Sequence, residues 1–256
     1  MNFSGIIRRI KTFLFYGWKG NYISWEEAER DSDGYGSDSI LQKVKEATEK
    51  VRDGTAAYER DSVLFDEIQY SYPFLATLMF VAAKNKGKLN VLDFGGSLGS
   101  SYYQHLRFLQ HLDDFHWNIV EQPHFVKEGL HSFETDHLHF FYTIKDCIKK
   151  CNINLALFSG VLQYLKEPYK ILDEVFDHQI EYILIDRTPF QKKGKDRITI
   201  QKVPKWIYEA SYPCWFFNEQ NFKDKMESGY EMIYEFEALD RARIPSKFKG
   251  FFYRKK

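Results

Sequence analysis

The sequence predicts an α/β fold built on an open, mainly parallel β-sheet, and three observations support this. From residue 87 onward, short apolar runs alternate with amphipathic stretches, as repeated βαβ units require. The first apolar run, Leu89–Phe94, breaks into a glycine-rich turn at Gly95–Gly99, which is typical of a buried strand that leads into a helix. The chain ends in two β-like runs, Glu231–Leu239 and Phe248–Arg254, without a helix between them. These two runs predict an antiparallel C-terminal hairpin.

The residues before the sheet predict helices. Ser24 can cap a first turn, because its hydroxyl accepts a hydrogen bond from the free backbone amides at a helix start. Longer helices are predicted at Asp38–Val51 and, with a kink or division at Pro73, at Ser62–Lys84. We therefore expect residues 1–86 to form an N-terminal helical extension that caps the substrate, and residues 87–256 to form the domain that contains the sheet.

Strands and helices alternate through the second region. Strands are predicted at Leu89–Phe94, Trp117–Val120, Leu138–Thr143, Ile153–Phe158 and Tyr182–Ile185. Helices are predicted at Tyr102–His111, Lys127–Ser132, Asp146–Lys150, Pro168–Asp177 and Asn218–Ser228. Ligands of such sheets bind outside the carboxyl ends of the strands. The first candidates for a site are therefore the residues at those ends: Gly95–Gly99, Glu121, Thr143, Ser159 and Asp186.

The charge of the chain gives no global reason to propose a nucleic acid or an acidic membrane as a partner, because 36 basic residues balance 36 acidic ones. The N-terminal apolar positions are interrupted by Arg8, Arg9 and Lys11, so neither a signal peptide nor a transmembrane span of about 18 apolar residues fits there. Two alternatives remain for this stretch: a basic amphipathic helix on a membrane surface, or a helix packed on its own domain. We expect no stable membrane insertion.

The three cysteines, Cys147, Cys151 and Cys214, cannot all pair and lack the spacing of a zinc site. They indicate a reducing compartment, and hence a cytoplasmic protein. The histidines have no acidic or cysteine neighbours that would complete a metal site, so no metal is predicted.

Several motifs resemble one family. They are V-L-D-F-G-G-S-L-G-S-S-Y, W-N-I-V-E-Q-P, L-F-S-G-V-L-Q-Y-L, I-L-I-D-R-T-P-F and the early W-K-G-N-Y-I-S-W-E-E-A. From about Tyr16 onward, the chain resembles class I methyltransferases often associated with bacterial surface-polysaccharide gene clusters. The resemblance implies a Rossmann-like fold, with a mainly parallel seven-stranded sheet and a C-terminal antiparallel hairpin. It also implies S-adenosylmethionine (SAM) as the cofactor.

The resemblance assigns cofactor contacts to the strand ends. The glycine-rich loop would hold the amino-acid part of SAM through Asp93, Gly95, Gly96, Ser97 and Gly99. Glu121, followed by Gln122, would bind the ribose, and a carboxylate can accept hydrogen bonds from two adjacent hydroxyls. Thr143 would lie near the adenine, and Ser159 and Gly160 near the sulfonium. Ser97 departs from the pattern, because it stands where a glycine is usual.

Asp186 is the candidate catalytic residue. At the end of its strand it could be a general base, a substrate hydrogen-bond acceptor, or the ion partner of Arg187, and Arg187 is itself a candidate substrate contact. The following stretch, residues 187–217, is a long insertion that could act as a lid. Its basic and aromatic side chains would suit an acceptor with phosphate and sugar rings: Lys192, Lys193, Lys195, Arg197, Lys202, Lys205, Trp206, Tyr208, Tyr212 and Trp215. The alternative is a solvated charged loop over an aromatic sub-core.

The segment Tyr16–Tyr35 is rich in rings, with Trp18, Tyr22 and Trp25 as candidate substrate contacts. Each ring can bury about 150–250 Å², so we expect the segment to close over the acceptor pocket. The competing interpretation is structural: the rings attach the first helices to the sheet.

The sequence thus favours a SAM-dependent methyltransferase acting on a small acceptor, such as a hydroxyl of a sugar, a sugar nucleotide or a glycolipid in surface-polysaccharide biosynthesis. An NAD-dependent oxidoreductase could share the glycine-rich turn and Glu121, but it would not ordinarily end in the predicted hairpin. A non-catalytic binding module on the same fold is the other alternative.

Overall fold

The structure is a computed structural model that describes residues 17–34, 38–204, 207 and 209–256, without the side chains of Asp38 and Ser39. The strands are β1 (Gly17–Tyr22), β2 (Tyr58–Arg60), β3 (Val63–Phe65), β4 (Lys88–Phe94), β5 (Asp114–Val120), β6 (Leu138–Phe141), β7 (Leu155–Ser159), β8 (Tyr182–Gln191), β9 (Arg197–Lys202), β10 (Ser211–Asn218), β11 (Tyr230–Glu237) and β12 (Lys247–Lys255). The predictions for residues 1–16, Tyr35, Lys205, Trp206 and Tyr208 lie outside the described residues.

The helices are α1 (Trp25–Arg30), α2 (Asp38–Arg52), α3 (Tyr72–Lys84), α4 (Ser100–Leu109), α5 (Pro123–Ser132), α6 (Ile144–Lys150), α7 (Pro168–Asp177) and α8 (Glu219–Glu227). The Ser24 hydroxyl accepts a hydrogen bond from the Glu27 amide and caps α1, as predicted. In the described part of the chain, none of the helices combines the length and the apolar character that crossing a bilayer requires.

The central sheet has the order β6-β5-β4-β7-β8, all parallel, followed by β12 and β11. Strand β12 runs antiparallel to both β8 and β11. These seven strands confirm the predicted mainly parallel sheet with a C-terminal antiparallel hairpin. Apolar side chains alternate between two cores, with Leu157 on one face of β7 and Phe158 on the other. The sheet is therefore covered on both faces, as parallel sheets are.

The described part of residues 187–217 is mostly strand and not the predicted loop. Strand β8 continues to Gln191, and β9 and β10 pair with each other in antiparallel orientation. The end of β10 pairs with the end of β8, and β1 pairs with β9. The described residues thus place ten strands in one sheet. Ile198, Thr199 and Ile200 are β-branched, and aromatic residues dominate Tyr212–Phe217, a composition that favours strands. The predicted N-terminal extension contributes the edge strand β1 to this sheet.

The predicted helix Ser62–Lys84 is wrong in its first half, because Ser62 lies in the turn of the β2–β3 hairpin and Val63–Phe65 forms β3. Asp61 and Ser62 link the two strands and both have positive φ angles, 53° and 67°, as a two-residue hairpin turn of this kind requires. Helix α3 begins only at Tyr72, with Pro73 in its first turn. A proline at that position is compatible with a helix because the first amides have no intrahelical partner.

Candidate functional site

Two adjoining cavities lie at the carboxyl ends of β4, β5 and β7, beside Asp186 and Arg187 in the middle of β8. The large cavity has a volume of about 620 Å³ and the small cavity about 290 Å³. Both are lined by Asp61, Gly95, Ser97, Ser100, Ser159, Arg187 and Asp240. A single elongated ligand could therefore extend from one cavity into the other.

The glycine-rich loop forms the wall common to both cavities. A Cβ atom on Gly95 would lie 2.3 Å from Val161 Cγ2, and one on Gly96 would lie 2.5 Å from Asp93 Oδ2. Ser97 has a φ of 57°, the left-handed region that glycine occupies more easily. The loop therefore keeps the path of a glycine-rich turn despite the serine. Gly99 follows with a φ of 105° and occupies the N-cap position of α4.

The Asp93 side chain lies against this loop at Gly96. Its side chain is buried, and Trp117 Nε1 donates a 2.8 Å hydrogen bond to its Oδ2. Burial raises the pKa of Asp93 to about 7, although the bond from Trp117 opposes this shift. Asp93 lines the small cavity.

Glu121 lies at the end of β5 and lines the large cavity, together with Gln122. Removal from water raises the pKa of Glu121 to about 7, and hydrogen bonds from the backbone amides of Gln122 and Ser97 partly offset that rise. The carboxylate is thus held beside the glycine-rich loop and can accept further hydrogen bonds from a ligand.

Thr143 does not line either cavity. Its hydroxyl caps α6, accepting a hydrogen bond from the Asp146 amide at 3.1 Å and donating one to Asp146 Oδ2 at 2.8 Å. The preceding residue, Tyr142, lines the large cavity instead, and its side chain is exposed.

Asp186 lies at the far side of the loop, where β8 passes the end of β7. It lines the small cavity and is buried, and its Oδ1 atom has no hydrogen-bond partner in the protein. The Ser159 hydroxyl donates to its Oδ2 at 3.5 Å. Burial raises the pKa of Asp186 to about 6. Ser159 faces both cavities, so it connects Asp186 to the large cavity. Gly160, which follows it, also lines the large cavity.

Arg187 pairs with Asp61 and Asp240 rather than with Asp186. Its Nη2 donates to Asp61 Oδ2 at 2.8 Å, and its Nε donates to Asp240 Oδ2 at 3.2 Å. These pairs join the tip of the β2–β3 hairpin and the β11–β12 linker across the boundary between the cavities. The guanidinium is therefore already neutralised by protein carboxylates.

One side of the large cavity is aromatic. Trp18, Tyr164, Tyr212 and Phe248 line it. The rings of Trp18 and Phe248 pack with centroids 5.7 Å apart, and the Tyr164 hydroxyl donates a 2.6 Å hydrogen bond to Gln201 Oε1. This wall suits a ligand that has a flat or weakly polar ring face.

The other two predicted ring contacts lie elsewhere. Trp25 stacks on Trp215 with centroids 5.7 Å apart, in a cluster with Ile198 and Ile200 against which Tyr22 packs. Neither Tyr22 nor Trp25 lines the large or the small cavity. For these two rings the structural interpretation applies, because they pack α1 and β1 against β9 and β10.

The expected basic wall is also absent from the described part of the insertion. None of Lys192, Lys193, Lys195, Arg197 and Lys202 lines either cavity. Arg197 instead donates hydrogen bonds to the Gly20 carbonyl. Within the described ranges, no group of three or more His, Cys, Asp or Glu side chains could hold a metal ion.

Sequence reasoning missed several polar residues of the large-cavity wall, among them Glu59, Asp61, Gln163 and Asp240. Glu59 and Asp61 lie on the β2–β3 hairpin, just before the predicted helix Ser62–Lys84, and Asp240 lies in the C-terminal linker. Glu59 is buried and accepts hydrogen bonds from the Ser100 hydroxyl and the Ser62 amide, and burial raises its pKa to about 7. Gln163 lies within the motif L-F-S-G-V-L-Q-Y-L, so the motif was the one available signal.

Comparisons with protein-family models and with the sequences of curated proteins give no match. Solved structures do match. The N-terminal domain of EvdMO1 was crystallised in the presence of S-adenosylhomocysteine (SAH) and D-fucose. It superposes on this chain with a TM-score of 0.53 at 12% identity, covering 85% of this chain and 96% of that domain. The chain has the Rossmann-like fold of class I methyltransferases.

Two further solved structures are similar to this chain. The same EvdMO1 domain with SAH bound gives a TM-score of 0.50 at 13% identity, over 85% of this chain and 96% of that one. The 1,6-didemethyltoxoflavin-N1-methyltransferase of Burkholderia thailandensis, with bound 1,6-didemethyltoxoflavin and SAH, gives 0.47 at 13% identity, over 94% of each chain. The methyltransferase fold accounts for the position of both cavities, since ligands of open parallel sheets bind at the carboxyl ends of the strands.

Proposed function

We propose that this chain is a SAM-dependent methyltransferase that acts on a small molecule. The observation that carries the proposal is the convergence of the glycine-rich loop, Glu121 and Ser159–Gly160 on one pair of adjoining cavities. On a methyltransferase fold, these are the strand ends to which the sequence resemblance assigns the cofactor.

The residues present fit SAM. We assign the adenosine half to the large cavity, where Glu121 can accept hydrogen bonds from both ribose hydroxyls and Tyr142 replaces Thr143 beside the adenine. The methionine half is assigned to the small cavity, across Gly95 and Gly96, where any side chain would collide with Val161 or Asp93. The shared wall accounts for one ligand that occupies both spaces.

SAM, when bound, supplies an electrophilic methyl group and its own leaving group. The protein then has to align the acceptor and take up its proton. Asp186 is the proposed base, because one of its oxygens has no protein partner and its pKa of about 6 is close to neutral pH. The Ser159 hydroxyl, which faces both cavities, provides a route from an acceptor in the large cavity to Asp186.

We further propose that the acceptor is a hydroxyl of a sugar or sugar conjugate, and that the reaction belongs to surface-polysaccharide biosynthesis in the cytoplasm. The aromatic side of the large cavity supports a sugar ring, whose apolar face packs well on aromatic side chains. The presence of D-fucose in one EvdMO1 crystal is in keeping with this chemistry. The three free cysteines, Cys147, Cys151 and Cys214, are consistent with a reducing compartment.

Cofactor binding tests the proposed function directly. We expect SAM and SAH to raise the melting temperature of the protein and to give saturable calorimetric titrations, whereas NADH should give neither. A response to NADH alone would instead favour an oxidoreductase. Binding of SAM without methyl transfer to any acceptor would indicate a non-catalytic module on the same fold.

The pKa of Glu121 predicts a pH dependence of stability. Glu121 has a pKa of about 7 in the folded protein against 4.5 for the free side chain, so between these values the folded state holds a proton that the unfolded chain has released. Glu121 therefore favours folding below about pH 4.5 relative to pH 7, and its contribution falls as the pH rises. Glu121→Gln removes this titration, so its melting temperature minus that of the wild type should increase from pH 5 to pH 8. A constant difference would contradict the raised pKa.

A further inference from the structure

The charges around the large cavity restrict its acceptor. The described residues that line it include four acids, Glu59, Asp61, Glu121 and Asp240, and one base, Arg187. Arg187 is already paired with Asp61 and Asp240. A phosphate in this cavity would meet carboxylates without a free cation from these wall residues, which is unfavourable. The wall of the large cavity therefore favours an acceptor without negative charge.

Gln163 supplies a specific polar contact in the same wall. It lies on the short 3₁₀ helix Leu162–Tyr164, three residues after Gly160, and its side chain is 2% exposed. Its Nε2 donates a 3.1 Å hydrogen bond to the Arg187 carbonyl, which fixes the orientation of the amide. The other end, Oε1, is buried and has no protein partner. A buried carbonyl oxygen of this kind is an acceptor for a hydroxyl or amine of a ligand.

The aromatic wall lies beside this amide. Tyr164 follows Gln163 in the chain, and its hydroxyl is occupied by Gln201. Trp18 and Phe248 complete an apolar surface in the same cavity. A compound with a ring face and an outward hydroxyl would satisfy both features together.

We propose that Gln163 Oε1 accepts a hydrogen bond from a hydroxyl of the methyl acceptor, and that this acceptor is a neutral sugar or glycoside rather than a sugar phosphate or a sugar nucleotide. The inference rests on the proposed methyltransferase function and specifies the substrate class of that same site. It excludes the sugar nucleotide that the sequence allowed.

The substrate class is tested on the protein saturated with SAH. D-Fucose and methyl α-D-glucoside serve as neutral probes, and glucose 6-phosphate and UDP-glucose as anionic ones. At tenfold excess over its dissociation constant, a neutral probe should raise the melting temperature by about 3 °C or more, and the anionic probes should not raise it. Binding of an anionic probe in preference to the neutral ones would overturn the proposal, and so would a saturated SAH complex that takes up none of the four.

Gln163→Leu tests the hydrogen bond. We expect the affinity for a neutral probe to fall about tenfold or more, since one buried bond is lost, while SAH affinity stays within about twofold. Gln110→Leu is the matched control, because Gln110 is exposed and lines neither cavity. If Gln163→Leu does not fold, Gln163→Met repeats the test with an unbranched side chain of similar length.

Two outcomes separate this inference from the proposed function. If wild-type protein binds neither SAM nor SAH, the methyltransferase proposal itself fails. If SAH binds normally and Gln163→Leu retains the full affinity for neutral probes, only the role of Gln163 is refuted.

Discussion

Replacing Glu121 with alanine is expected to lower the affinity for SAM and SAH by about thirty- to a hundred-fold. The variant loses charge-assisted hydrogen bonds to the ribose hydroxyls, which together contribute on the order of 2–3 kcal/mol. Isothermal titration calorimetry at pH 8 measures the loss, since the Glu121 carboxylate is largely ionised above its pKa of about 7.

The ligand-free variant should melt at the same temperature as the wild type or above it, because a desolvated carboxylate is removed. This second measurement separates a lost ligand contact from a damaged fold. Glu227→Ala is the control: Glu227 is exposed near the end of α8 and lines neither cavity. Unchanged SAM affinity in Glu121→Ala would remove Glu121 from the cofactor site.

The central sheet could be predicted from the sequence because its signals are local. The apolar run Leu89–Phe94 is followed by glycines, and the helix Pro168–Asp177 has the same bounds in the prediction and in the structure. The C-terminal hairpin was also predictable, since two β-like runs without an intervening helix have few other arrangements. These elements confirm the predicted fold class.

Strand β1 and the β2–β3 hairpin could not be predicted, for two different reasons. Trp18 lies opposite Gln201 in the β1–β9 ladder, a contact between residues far apart in the chain. In the hairpin, the turn at Asp61 and Ser62 uses positive φ angles without a glycine, so the usual sequence signal is missing. The predicted helix Ser62–Lys84 includes α3, but it starts too early, because α3 begins at Tyr72.

The candidate site was predictable to the extent that it follows the strand ends. Glu121, Ser159 and Asp186 were each located by position after a buried strand, and the structure brings all three to the walls of the two cavities. Thr143 satisfies the same rule but its hydroxyl is used to cap α6. The ends of strands therefore indicate where a ligand lies, whereas side-chain hydrogen bonds decide which residue faces it.

The polar residues contributed by loops follow no such rule. Gln163 and Asp240 reach the large cavity from a 3₁₀ turn and from the β11–β12 linker, and neither segment has a periodic pattern. Their roles depend on tertiary partners: Arg187 orients the Gln163 amide through its carbonyl and holds Asp240 through its guanidinium. These wall residues of the large cavity could therefore be identified only from the three-dimensional structure.

Asp186→Asn is expected to slow methyl transfer by about 10²- to 10⁴-fold, the usual contribution of a general base. Asparagine keeps the size of the side chain and its contact with the Ser159 hydroxyl, but it cannot take up the acceptor proton. In the wild type, the rate should fall as the pH drops through about 6, where Asp186 becomes protonated. This fall in rate at low pH should be absent from the variant. The rates are measured with methyl-labelled SAM and a neutral acceptor found by the probe titrations.

The affinity of Asp186→Asn for SAM decides between catalysis and cofactor binding. If Asp186 is the base, calorimetry should give a SAM affinity within about threefold of the wild type, and Asp177→Asn, a change on the exposed end of α7, should leave both rate and affinity unchanged. If SAM affinity instead falls in parallel with the rate, the unpaired Oδ1 of Asp186 contacts the cofactor, where the cationic amino group of the methionine half is the natural partner of a buried carboxylate.

Ser159→Ala gives a second readout. A smaller loss of rate with the fall at low pH retained indicates that the Ser159 hydroxyl relays the proton to Asp186, whereas wild-type rates indicate that the acceptor reaches Asp186 directly.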